Sequence, residues 1–162
     1  MPTAPLVEDT NRMRRDYFTL QVTGLDDDTE IPTVTVMYEG PPAQLEKRLA
    51  ANSDPLEASA IDITYRLRDP IESAEPTGVV ALANRMTGEY VFEMNASADD
   101  VLSFVDAARA YGNATEEDRR FRVVIETETG RLKAYDKSTL LVYDTDGELL
   151  RGRSLLPSGV EL

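Results

Sequence analysis

The run Ala60 to Arg68 alternates apolar and polar side chains without a break. Ile61, Ile63, Tyr65 and Leu67 fall on one side, and Asp62, Thr64, Arg66 and Arg68 on the other. A period of two is the period of a strand with one buried face, so this stretch cannot be a core-facing helix. Its outward stripe carries three charges, Asp62, Arg66 and Arg68. That reads as the wet face of an antiparallel sheet rather than as a binding strip.

The same period returns in DYFTLQVTG, with Phe18, Leu20 and Val22 in phase, in PTVTVMYEG, with Val34, Val36 and Tyr38, and in RFRVVIETETG, with Phe121, Val123 and Ile125. GVVALANR and EYVFEMNA flank a turn at Thr87-Gly88 and form a hairpin that would place Ala81, Ala83, Tyr90, Phe92 and Met94 on one face. A turn at Thr129-Gly130 leads into RLKAYDKS. The stretch Thr139 to Leu156 reads as a C-terminal hairpin with a two-residue type I′ loop at Asp146-Gly147. Pairing Thr145 with Glu148 makes Tyr143, Leu150, Leu141 and Gly152 the core face. Val142 with Arg151 and Leu140 with Arg153 then form a mixed second face without an evident cover.

Two helices interrupt the strands. Ser97 is placed to cap ADDVLSFVDAARAYG, with Asp99 and Asp100 against the free N–H groups of the first turn, an apolar stripe of Val101, Phe104, Val105, Ala108 and Tyr111, and Gly112 as the stop. A weaker helix over Pro42 to Ala51 pairs Leu45 with Leu49. The expected fold is α+β: an antiparallel sheet of seven or eight strands, in one strongly bent layer or two halves, with both helices on one face. Hairpin, helix and strand occur in that order over 16–68 and again over 78–128, with Val36, Leu45 and Leu49 falling on Phe92, Val101 and Val105. An internal ββαβ duplication plus a C-terminal hairpin is one reading of that order, although ββα units also arise without duplication. Residues 1–12, rich in Pro, Thr and acid, are expected to be a disordered lead, and residues 13–162 one domain.

The charge narrows what the domain binds. With 30 acidic against 17 basic residues the net charge is -13, which argues against a binder of phosphate backbones. Only Lys47, Lys133 and Lys137 are lysines, and an acid-rich, lysine-poor surface suits a cytoplasm filled with salt, where repulsion is screened beyond about 3 Å. An acidic mesophilic protein with a basic partner is the alternative. No apolar run is long enough for a membrane span, and the first residues lack the apolar core of a signal peptide, so a cytoplasmic location is expected. Cysteine and histidine are both absent, which removes disulfides, thiolate nucleophiles, Cys/His zinc sites, haem ligation and Ser-His-Asp triads.

The remaining polar groupings have ordinary explanations. Asp144-Thr145-Asp146-Gly147 begins like a calcium loop but lacks the later bidentate glutamate. Asp26, Asp27 and Asp28 read as a solvated loop, and Glu126 with Glu128 as a wet strand face. Lys137 and Ser138 are strand neighbours that point apart. Asn84, Arg85, Met86, Thr87 and Gly88 bring an amide and an arginine to one hairpin tip; an anion site there is weaker than a plain turn. No catalytic residue, cofactor site or metal site is assigned.

The segments RRDYFTL, NRMTGEYVFE, ADDVLSFVDAARAYG and KSTLLVYDTDGELLRGRSLLPSGVEL together resemble a family of small haloarchaeal proteins of unknown function, over Met13 to Leu162. The resemblance implies a cytosolic protein of a halophile and brings no activity with it. The functional expectation is a non-enzymatic binding or regulatory module, homodimeric through the mixed face of the C-terminal hairpin, with no nucleic acid or membrane partner. A carboxylate- or metal-dependent enzyme and a small-ligand sensor are the alternatives, the first needing converging carboxylates in a concavity and the second an apolar pocket.

Overall fold

The computed structural model describes residues 18–25, 30–48, 50–51, 54–55, 57–115 and 119–156. The expected disordered lead, the triple aspartate at 26–28, Leu49 and the segment after Leu156 lie outside them. The order is β1 (Phe18–Thr23), β2 (Thr33–Tyr38), α1 (Pro42–Arg48), a small ladder of β3 (Ala50–Ala51) and β4 (Asp54–Pro55), β5 (Ile61–Leu67), β6 (Thr77–Asn84), β7 (Tyr90–Ser97), α2 (Ala98–Thr115), β8 (Phe121–Thr127), β9 (Gly130–Lys137) and β10 (Leu141–Tyr143). Eight of these strands form two four-stranded sheets, ordered β1-β2-β8-β9 and β10-β5-β6-β7.

The α+β class, the two helices and eight sheet strands in two halves are as expected, but the sheets are mixed and not antiparallel throughout. Each sheet contains one parallel junction, β2 beside β8 and β5 beside β10. Alternation along a strand is the same whichever way its neighbour runs, which is why the pattern did not reveal this. The repeated order also fails to repeat in space: the strand after α1, β5, lies antiparallel to β6, whereas the strand after α2, β8, lies parallel to β2.

The inward faces of both sheets merge in one core. Phe18 of the first sheet stacks on Phe92 of the second, with ring centroids 4.9 Å apart, and Phe104 of α2 meets Phe121 edge-on at 5.3 Å. The α2 stripe is as read, with Val101, Phe104, Val105, Ala108 and Tyr111 buried, and Ser97 Oγ accepts from Asp100 N at 3.1 Å. Gly112 does not end the helix, which continues to Thr115. A methyl group there would lie 3.2 Å from Arg120 Cγ, so the glycine makes room for that arginine stem. In the β6–β7 hairpin Leu82 faces Phe92 and Val80 faces Met94, while Ala81 faces Glu93 on the other side. The expected grouping of Ala81 and Ala83 with Phe92 and Met94 is therefore corrected; a bulge beyond Leu82 is what brings Ala83 opposite Tyr90.

The C-terminal hairpin is corrected too. Asp144 Oδ1 accepts from Asp146 N and Glu148 N, both at 2.9 Å, and Gly147 takes φ +84°, closing a loop of Thr145, Asp146 and Gly147 between Asp144 and Glu148. This is the three-residue loop with a left-handed glycine, not the two-residue turn. Tyr143 consequently bridges Leu149 instead of Leu150, and Leu140 bridges Leu155. Strand β10 joins β5 with Val142 opposite the inward Tyr65, so Val142 and Leu140 are core, 0% and 5% exposed, while Leu141 and Tyr143 are only half-buried. The uncovered apolar face from which a dimer was inferred is the interior of the protein.

Candidate functional site

The β6–β7 tip stands out once burial is known. Met86 is 80% exposed and Tyr90 56%, among very few large apolar side chains of the described residues that face solvent. A loop that displays a thioether in this way is often slack, but this one is held from several directions. Asn84 Oδ1 accepts from Met86 N at 2.9 Å and Thr87 N at 3.3 Å, Gly88 N donates to Asn84 O, and Asn84 N donates to Glu89 O. Thr87 Oγ1 accepts from Glu89 N at 3.2 Å, and Gly88 takes the φ of +79° that the bend requires.

The base of the tip is tied to the rest of the fold through a 3-10 turn, Ala58–Ala60. Arg85 N donates to Ala60 O, and the Arg85 guanidinium binds Asp62 Oδ1 through Nε at 2.9 Å and Nη2 at 2.6 Å. The Asp62 hydrogen bond raises the pKa of Arg85. From the other sheet, Lys137 Nζ donates to Ala58 O at 2.6 Å and Ile61 O at 2.9 Å. Burial pushes the Lys137 pKa down, the nearby Arg85 charge acts the same way, and Asp62 opposes them. The amide and the guanidinium that suggested an anion at this tip are thus both engaged, one with its own loop and the other with Asp62.

The other sequence candidates are dispersed. Asp144, Asp146 and Glu148 bring carboxylate oxygens within 4.8 Å of one another, but on a largely exposed loop where Asp144 already organises the backbone. Glu126 ends up on β8 and Glu128 in the turn beyond it, not on a shared strand face. A cavity of about 30 Å³ lies between the sheets, lined by Leu20, Val22, Val34, Val80, Phe104 and Leu140 among others. That is about a tenth of the roughly 300 Å³ or more of a pocket that encloses a small ligand. Among the described residues, no helix is long and apolar enough to cross a membrane.

Fold and site define an α+β domain of two mixed sheets that presents an apolar-tipped hairpin held by hydrogen bonds within its loop. The chain belongs to a family of unknown function, DUF5793, matched over residues 13–162. No curated protein and no solved structure matches it. The sequence drew attention to the arginine and amide of the tip and passed over Met86. The available signal was a large apolar residue inside a hairpin loop, where no core can receive it.

Proposed function

We propose that this domain is a non-enzymatic protein-binding module and that the β6–β7 tip is its docking element. The observation that carries the reading is Met86, exposed on a loop whose backbone is fixed by Asn84, Thr87 and the Arg85–Asp62 pair. Methionine, tyrosine and arginine are enriched in binding surfaces, and a loop already ordered before binding loses little conformational freedom on docking. A salt-filled cytosol as the module's setting is part of the same proposal, and the acid-rich, lysine-poor composition supports it.

Site-specific photo-crosslinking tests it. A photoreactive residue at position 86 should give one discrete adduct that the same probe at the exposed Thr19 does not, and unlabelled protein should compete it away where Met86→Asp does not. Identical adducts from both positions, or equal competition by Met86→Asp, would refute the reading. Folding is not at issue, because substitution of an exposed side chain of this kind changes stability by only about 0.5 kcal/mol.

A further inference from the structure

The run Asp146-Gly147-Glu148-Leu149-Leu150-Arg151-Gly152-Arg153 has an order that neither the fold nor the tip uses. Read backwards, it repeats itself with every charge inverted: Asp146 corresponds to Arg153, Gly147 to Gly152, Glu148 to Arg151 and Leu149 to Leu150. Such a run is self-complementary across a two-fold axis, where residue i of one copy meets residue j of the other and j meets i.

The structure leaves these charges available. Asp146, Glu148, Arg151 and Arg153 are all exposed, and among the described residues none of them forms an ion pair. Their backbone is nonetheless fixed. Arg151–Arg153 is a 3-10 turn, Arg109 of α2 donates to Gly152 O at 3.3 Å and Ser154 O at 3.0 Å, and the buried Ser154 hydroxyl accepts from Val142 N at 2.8 Å and donates to Leu150 O at 2.8 Å. Among the described residues nothing lies within 4 Å of the position a Gly152 side chain would take, so they leave the turn open to close approach. Leu149, at the midpoint of the inverted run, is half-buried and supplies an apolar contact there, while its neighbour Leu150 packs against the core.

We propose that this segment is a contact between two copies of the chain, in which the arginine turn of each receives the acidic loop of the other about an axis near Leu149 and Leu150. The proposal is independent of the docking role of the tip. It also differs from a dimer built on Leu140 and Val142, which are interior. The segment is shorter than the roughly 20–30 residues a side of a standard interface, so association is weak, with a Kd on the order of 0.1–1 mM. Molar salt favours it over dilute buffer: a Debye length of about 3 Å screens the repulsion between two chains of charge -13 but reaches only to the range of contact pairs.

Sedimentation velocity of the full chain in molar salt decides it, with two double variants, Arg151→Glu with Arg153→Glu and Asp146→Arg with Glu148→Arg. The wild type should associate with rising concentration, each double variant should weaken that at least about tenfold, and an equimolar mixture of the two should restore it. Rescue in the mixture shows that both variants are folded and that the charges pair between chains. A wild type that stays monomeric at millimolar concentration overturns the proposal, as does association indifferent to the reversals. Loss in both variants without rescue on mixing also overturns it, and would point to some other partner for the arginine turn. Met86→Asp should leave self-association unchanged, which separates this test from that of the tip.

Discussion

Replacing Gly78 by alanine tests the packing of the second sheet at its tightest point. Tyr65 reaches from β5 across β6 to donate its hydroxyl to Ala96 O of β7 at 2.9 Å, and it passes over Gly78 to do so. A methyl group on Gly78 would lie 2.5 Å from Arg66 O, 2.6 Å from Tyr65 Cζ and 2.8 Å from Tyr65 Oη. The first contact is with backbone in the β5–β6 ladder, so relief requires the ladder or the ring to move. Overpacking of this kind costs about 1–3 kcal/mol, and displacing the ring forfeits a hydrogen bond contributing about 0.5–1.5 kcal/mol. The expected loss is about 2–4 kcal/mol, or roughly 4–16 °C in Tm for a chain of this size. Entropy of the unfolded chain acts in the opposite direction, since Gly→Ala at an unstrained position stabilises by about 0.4–1 kcal/mol. The sign of the change is therefore decisive. Urea unfolding of Gly78→Ala beside Tyr65→Phe, which removes the hydroxyl alone, separates the two contributions. An alanine variant as stable as the parent, or more so, would refute the packing described for Tyr65.

Three further perturbations probe the core and the buried tyrosines. Leu140→Arg should cost at least about 3 kcal/mol in equilibrium unfolding, because Leu140 is 5% exposed and the new charge would be buried without a partner; a variant of unchanged stability would return Leu140 to the surface. Ser154→Ala should cost about 1–3 kcal/mol by leaving Val142 N without its acceptor, and the loss should appear as faster amide exchange along β10. Stability should fall as pH rises above about 10: burial pushes Tyr135 up to about 12 and raises Tyr65 too, with Asp100, Asp69 and Asp99 adding to the latter, so the folded chain keeps protons that the unfolded chain releases above the ordinary value of 10.0. That contribution is fully present below the unfolded value and lost toward the folded one, and a urea midpoint that stays flat between about pH 9.5 and pH 11.5 would contradict it.

The parts of the fold that were legible in the sequence are those set by local periodicity. Ile61, Ile63, Tyr65 and Leu67 are buried as their alternation requires, and the α2 stripe is where a period of 3.6 puts it. Partner choice was not legible, because the inward faces of β2 and β10 would look the same beside an antiparallel neighbour as beside β8 and β5. The register of the C-terminal loop was lost to one side chain: Asp144 binds the amides of Asp146 and Glu148, which moves Gly147 from the second position of a two-residue turn to the third of a longer loop. A shift of one residue exchanges the faces of the strand, and Leu140 and Val142 went with it. At the tip, Asn84 and Arg85 were noticed for their polarity, but they serve the loop itself, and the surface they hold in place is Met86.

Amide hydrogen exchange at the tip measures whether the loop that presents Met86 is held in place by its hydrogen bonds. Met86, Gly88 and Glu89, whose amides donate to Asn84 Oδ1, Asn84 O and Thr87 Oγ1, should exchange at least about tenfold more slowly than an unstructured chain despite their exposure, and Asn84→Ala should remove the protection of Met86, whose acceptor is the deleted side chain, while the β6–β7 strands keep theirs. Exchange of these amides at unstructured rates in the parent protein would contradict this, leaving Met86 exposed only because nothing holds it.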